Sequence, residues 1–237
     1  MKRTGVPKIF AVDVLERIRK ELILYIFLFL LCWAGIFFIF PYMFPYLVHP
    51  YFNILKGKPL VFTSMEEALF VVLRATFYIT FAITLPFLVF RLGKAISEEF
   101  YDYEKKIAKK LFFISIFFGI AGILVGYFLV IPFVLKIFLY FGRDFTANIR
   151  ISSFLLFVLK VVFFCVLIFQ TPLILAILVK EEIITEEFYK KRRLYFLGFF
   201  YGISVLIAPT DLFSQILLTL FFFLFFKVSF LVARFLA

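Results

Sequence analysis

Chemistry-bearing side chains are scarce in this sequence. Its 237 residues include two Cys, one His and one Trp, with 15 Asp plus Glu against 26 Lys plus Arg. Cys32 and Cys165 sit alone inside apolar runs, so they read as small hydrophobes and not as a disulfide scaffold. One His and two isolated Cys leave no material for a soft-metal site. Neither a metal nor a cofactor is expected. No phosphate-cradling glycine loop is present, which argues against nucleotide hydrolysis, and nothing suggests an enzyme. Charged residues make up only 17% of the chain. The formal charge of +11 does not imply nucleic acid, because no nucleic-acid-binding motif accompanies it. Sustained apolar–polar alternation is missing too, which excludes a lipid-facing barrel.

What is there is apolar. Hydrophobic residues form 65% of the chain, with 41 Phe, against about half in soluble domains. Lipid must therefore be the solvent. About 20 apolar residues cross a bilayer as a helix, and six segments qualify or nearly so: 22–40, 68–90, 111–131, 154–179, 194–208 and 212–236. The first reads as a retained span and not as a cleavable signal. No lipidation motif is visible. Pro41, Pro45 and Pro50 are expected to stop span 1 and open an irregular loop, and Pro132 to close span 3. Spans 5 and 6 are short. Fifteen residues reach about 22 Å, less than the roughly 30 Å of hydrocarbon. Either the bilayer thins beside them, or Arg193 and Lys227 snorkel to the interface, or the helices continue past these charges and bury them against protein.

The basic residues set the orientation. Seventeen Lys and Arg lie before span 1, between spans 2 and 3, and between spans 4 and 5; five lie on the opposite side. The positive-inside rule then places both termini in the cytoplasm. The expectation is one all-α transmembrane domain over residues 1–237, with six spans.

Few polar groups enter the spans. Thr76, Thr80 and Thr84 share one helix face, where hydroxyls bond back to their own helix at a packed interface. Gly122 and Gly126, and Gly198 and Gly202, permit close helix approach, expected within the protein. Arg74 and Lys160 sit near the non-cytoplasmic ends of their spans, where snorkelling accounts for them. Glu66 and Glu67 suit the start of span 2. Asp211 is placed to cap span 6, and Gln215 lies one turn along the same face. Gln170 precedes Thr171-Pro172 in mid-span. Its amide either repairs the carbonyl freed by Pro172 near Ile168 or contacts a partner helix or substrate from a concave, partly hydrated surface. Acids also interrupt the basic loops: Glu16 before Arg17 and Arg19, and Glu98, Glu99, Asp102 and Glu104 before Lys105-Lys106. They form local salt bridges or receive a cationic ligand, since Arg pairs bidentately with carboxylates. A secondary transporter of two three-span repeats is a second reading, but the halves share no obvious motif and no span carries an acidic pair. A structural scaffold explains the Phe content but not the acids.

Several stretches resemble one family. Ala208-Pro-Thr-Asp-Leu-Phe-Ser-Gln215 is similar to the P-x-D-x-x-S-Q signature of TatC, the six-span receptor subunit of the twin-arginine protein translocase. Arg193-Leu-Tyr195 resembles its R-x-Y, and Phe169-Gln-Thr-Pro172 its F-E-x-P, with Gln170 in place of Glu. Tyr101-Asp-Tyr-Glu104-Lys-Lys resembles Y-x-x-E-[RK]-[RK], and Gly126-Tyr-Phe-Leu-Val-Ile-Pro132 the end of span 3. Leu15–Leu22 loosely resembles the N-terminal motif. The resemblance implies a concave bundle in a bacterial or archaeal cytoplasmic membrane that binds twin-arginine signal peptides of folded cargo. Glu16 and Glu104, with Arg17 and Arg19 beside them, would form the signal-peptide site. The signal's apolar part would insert toward Gln170. Small single-span TatA/TatB-like subunits would pack on spans 5 and 6 in an oligomeric complex driven by the proton-motive force. Pro50, Pro209, Asp211 and Gln215 would be partner contacts or structural residues.

Overall fold

The structure, a computed structural model, describes residues 12–52, 60–61, 64–96, 105–141, 149–180, 192–207 and 212–236. With no water in hydrocarbon, each backbone N–H and C=O must find a partner inside the protein, and helices do this most simply. Span 1 is α1 (Val12–Phe52) and span 2 is α2 (Met65–Ile96). Span 3 joins α3 (Lys105–Val125), a π turn (Gly126–Val130) and α4 (Ile131–Phe141). Span 4 is α5 (Ile151–Phe169) with α6 (Thr171–Lys180), span 5 is α7 (Arg193–Ile207) and span 6 is α8 (Leu212–Leu236). Four are long and apolar enough to cross a membrane; α7 and the apolar part of α8 are the short pair.

The three prolines do not stop span 1. Pro41, Pro45 and Pro50 all lie inside α1, and Pro132 lies inside α4. A proline leaves the carbonyl four residues earlier without its helical donor, and here a distant tyrosine replaces that donor. Pro50 frees the carbonyl of Tyr46, which accepts the Tyr127 hydroxyl at 2.8 Å. In the π turn the N–H of Ile131 reaches the carbonyl of Gly126. The next bond in that frame, to Tyr127, is missing because residue 132 is proline. The Tyr51 hydroxyl fills it at 2.7 Å. Two proline defects in different spans are thus closed by a reciprocal pair of tyrosines, whose rings also meet edge to face at 5.2 Å. At Pro50 and Pro132 the expected stop fails because its cost is met from across the bundle.

Span order in space follows from two features. Strands β1 (Leu60–Val61) and β2 (Ile149–Arg150) pair in parallel; β2 runs straight into α5, and α2 begins four residues after β1. The two helices run side by side in the same direction, from the Glu67–Ser152 hydrogen bond in their first turns to the Tyr78–Phe163 ring contact. At the strand end Glu67, in the first turn of α2, accepts the Ser152 hydroxyl and lies 3.7 Å from Arg150. Helix α1 crosses antiparallel on α2 through Trp33–Thr76, Tyr25–Thr84 and the Glu21–Arg91 ion pair. The three threonine hydroxyls each donate back to their own helix, as expected.

Span 4 is the centre. Val158, Val161, Val162, Cys165 and Val166 are buried among α4, α7 and α8 side chains such as Val134, Phe200, Leu218 and Phe222. A Cβ on Gly122 would lie 2.8 Å from the Val166 Cα, and one on Gly126 would lie 3.2 Å from the Val162 Cα. This glycine pair packs inside the protein, as expected. Among the described residues Gly198 and Gly202 have nothing within 4 Å of an added Cβ, so the expected packing within the chain is not found for them there. In span 6, α8 runs past Lys227, which stays exposed and is not buried against protein.

Candidate functional site

Glu16 lies on the first turns of α1, near the N-terminus. It is half exposed and lies 3.5 Å from Lys20 and 4.0 Å from Arg19, one turn away on the same face. Exposed pairs of this kind contribute about 0.3–0.5 kcal/mol, so water and a competing guanidinium can displace them. Arg17 is partly exposed on the adjoining face. Glu104, with Glu98, Glu99 and Asp102, lies outside the described residues, as do Pro209 and Asp211. A second carboxylate escaped the sequence reading. Glu21 pairs with Arg91 of α2, whose guanidinium also rests 5.5 Å from the Phe87 ring centroid.

The middle of the bundle holds a polar node. Gln170 joins α5 to α6 and is completely buried. Its Nε2 donates to the Ser115 carbonyl at 2.9 Å, and its Oε1 accepts the Ser115 hydroxyl at 3.0 Å. That hydroxyl also lies 2.7 Å from the Pro86 carbonyl. One amide thereby ties spans 2, 3 and 4 together. Gly119 makes room: a Cβ there would lie 2.4 Å from the Pro86 Cγ and 3.4 Å from Gln170 Nε2. The expected hydrated, concave setting for the amide is therefore wrong. Ser115 supplies the partners that the Phe-rich neighbours could not. Nor does the amide repair the kink, because the Thr171 hydroxyl donates to the Ile168 carbonyl that Pro172 leaves free, at 2.6 Å.

Beside this kink lies an apolar cavity of 580 Å³ between span 4 and α7. Its walls include Phe164, Ile168, Thr171, Tyr195, Phe199 and Phe226. The kink in span 4 forms one wall, so the node that holds Gln170 also shapes the cavity.

Spans 5 and 6 are joined by a second buried polar row. Gln215 Oε1 accepts the Tyr201 hydroxyl at 3.3 Å. The Thr219 hydroxyl lies 2.6 Å from the Gln215 carbonyl and 3.0 Å from the Ser204 hydroxyl, which itself donates to the Phe200 carbonyl. Gln215 is therefore placed as a structural contact between spans. Pro50 is exposed on α1. Apart from the cavity walls, α7 carries exposed Leu194 and Leu206 near Gly198 and Gly202, which have open space among the described residues.

Comparison with known proteins agrees with this architecture. The family described as "Sec-independent protein translocase protein (TatC)" matches residues 13–220. The TatC protein of Aquifex aeolicus is 30% identical over 221 residues, covering 91% of this chain and 90% of its own. That of Desulforapulum autotrophicum is 28% identical over 180 residues, covering 76% and 67%. A crystal structure of the twin-arginine translocase receptor TatC superposes with a TM-score of 0.84 at 27% identity, covering 94% of this chain and 99% of that one. A second, in the detergent DDM, gives 0.83 at 28% identity, covering 93% and 99%. The family model spans most of the chain and both solved receptors superpose on nearly all of it, a translocase subunit and not an enzyme in each case: the chain belongs to the TatC family.

Proposed function

We propose that this chain is the receptor of a twin-arginine translocase, holding the signal peptide of a folded cargo protein at two places. The paired arginines of the signal bind Glu16 and Glu104, with Arg17 and Arg19 orienting the carboxylates. The apolar part of the signal enters the cavity between span 4 and α7. That cavity is the observation that carries the reading, because it offers an apolar slot between helices whose wall is fixed by the Gln170–Ser115–Pro86 node. Gln170 thus serves the site through the wall it holds. Membership of the TatC family supports the choice of ligand.

Both termini face the cytoplasm in a bacterial or archaeal cytoplasmic membrane, as the seventeen-to-five distribution of Lys and Arg supports. Single-span TatA/TatB-like subunits dock on the exposed α7 face, where Gly198 and Gly202 leave room for a helix backbone. The assembled complex moves cargo with the proton-motive force. The test is binding of a twin-arginine signal peptide and a twin-lysine control to the full chain in nanodiscs. Twin-arginine binding is expected to be tighter. Glu16→Gln and Glu104→Gln should each weaken it by about 1.5–3 kcal/mol, the scale of hydrogen bonds to charged groups. Equal affinity for the two peptides would overturn the reading.

A further inference from the structure

A second cavity, of 420 Å³, opens between α1, α2 and α5, and its lining is unlike the first. Trp33, Phe77 and Tyr78 supply aromatic walls, and Arg74 and Lys160 supply two cations. No acidic residue is among its described lining residues. The nearest acid along α2, two turns back on the same face, is Glu67, which is already held by Ser152 and Arg150.

The two cations sit at one depth. Arg74 is nine residues after the start of α2 and Lys160 nine after the start of α5. The Glu67–Ser152 hydrogen bond sets these starts side by side, and both cations line the one cavity. The backbone of each therefore lies about 13 Å from the start of its helix, at the end of the bundle opposite the N-terminus. Snorkelling alone does not describe Lys160. Its ammonium donates to the Leu206 carbonyl at 3.1 Å, in the last turn of α7. A lysine there meets a carbonyl in the last turn of the helix and faces the negative end of its dipole. The contact also shows that α7 stops at the depth of Lys160. A helix of about 22 Å beside a roughly 30 Å hydrocarbon layer draws the headgroups toward its end. The lipid polar layer is thus brought to the two cations that line the cavity.

We infer that the Arg74–Lys160 cavity binds the phosphate of an anionic phospholipid. The guanidinium fork of Arg74 suits two phosphate oxygens, and the ammonium of Lys160 keeps two protons beyond its bond to Leu206. The aromatic walls receive the start of the acyl chains. Neither cation is used in the proposed signal site, so the inference stands apart from it.

Trp33 is the chain's one tryptophan and lines the cavity, so its fluorescence reports occupancy. The full chain is reconstituted in phosphatidylcholine vesicles containing phosphatidylglycerol or phosphatidylcholine brominated on the acyl chains. Brominated phosphatidylglycerol should quench at a mole fraction roughly fivefold lower for each cation engaged, the scale of one basic side chain at an anionic surface. Arg74→Gln should remove about fivefold of that preference, and adding Lys160→Gln should abolish it. Lys160→Arg, which can still donate to Leu206, should retain it and so separates lost charge from a disturbed α7. Equal quenching by the two lipids in the unaltered chain, or an undiminished preference in Arg74→Gln, would overturn the inference. If inorganic phosphate removes the preference while chloride of the same ionic strength does not, the site takes a soluble anion and the lipid assignment fails.

Discussion

Replacing Gln170 by Leu deletes the two hydrogen bonds that join the fourth span to Ser115 while nearly conserving volume. Inside a bilayer such an interhelical bond is worth about 0.6 kcal/mol on average and up to about 1.7. Both bonds lie at ordinary lengths, 2.9 and 3.0 Å, and neither meets competing water. Together they place the loss at about 1–3 kcal/mol. Ser115→Ala should cost a comparable amount: the Ser115 carbonyl remains for Gln170 Nε2, but the hydroxyl's bonds to Gln170 and Pro86 are lost and the buried Gln170 Oε1 is left without that donor. The two changes share the Ser115 hydroxyl–Gln170 Oε1 bond, so they should not add. A double-mutant cycle on SDS unfolding in mixed micelles should return a coupling of about 0.5–1.5 kcal/mol. Additivity within about 0.3 kcal/mol would refute the node. Gln170→Glu is the sharper variant. While its buried carboxyl is protonated, the O–H can donate to the Ser115 carbonyl as the amide now does and stability should be kept; once the carboxyl ionises, an oxygen faces that carbonyl and stability should fall. A stability of this variant that does not change with pH would show that the amide is not held as described.

The tyrosine exchange predicts that Tyr127→Phe orphans the Tyr46 carbonyl freed by Pro50 and lowers the unfolding free energy by about 1–2 kcal/mol; an unchanged SDS midpoint would reject it. Gly122→Ala drives a methyl against the Val166 backbone and should cost about 1–3 kcal/mol, whereas Gly198→Ala, with open space around it, should leave the isolated chain's midpoint unmoved. With Cys32 and Cys165 replaced by Ala, cysteines at Asn53 and Asn148 should react with an impermeant maleimide from outside the cell and one at Ile107 only from inside. Outside labelling at Ile107 would reject the orientation.

The six spans were legible because lipid demands long apolar runs, and the observed helices fall on every predicted segment. Their ends were less legible. Proline reads locally as a stop, but Tyr51 and Tyr127, which cancel two of the defects, come from other spans. Gln170 shows the same limit. Its need for partners follows from its chemistry, yet Ser115 is an unremarkable residue 55 positions away. Ser115-x-x-x-Gly119 and Pro86 at matching depths were the available signal, and reading it required the order of the spans in space. Thr76, Thr80 and Thr84 were readable because their bonds run within one helix. The two glycine pairs look alike in sequence. Only the packing of span 4 against span 3 separates the filled pair from the open one.

The reciprocal tyrosines also carry a consequence for how the chain enters the membrane. Tyr127 follows Tyr46 by 81 residues, so the carbonyl freed by Pro50 has no lasting donor when the first span leaves the ribosome. The outer end of that span must stay near interfacial water until the third span arrives, and the π turn of the third span in turn waits for Tyr51. Biogenesis is therefore a two-step latch: the first hairpin inserts with an unfinished end, and arrival of the third span finishes both helices at once. Nascent chains ending before Tyr127 should keep residues 46–52 open to proteolysis and hydrogen exchange, and those reaching past Pro132 should close them.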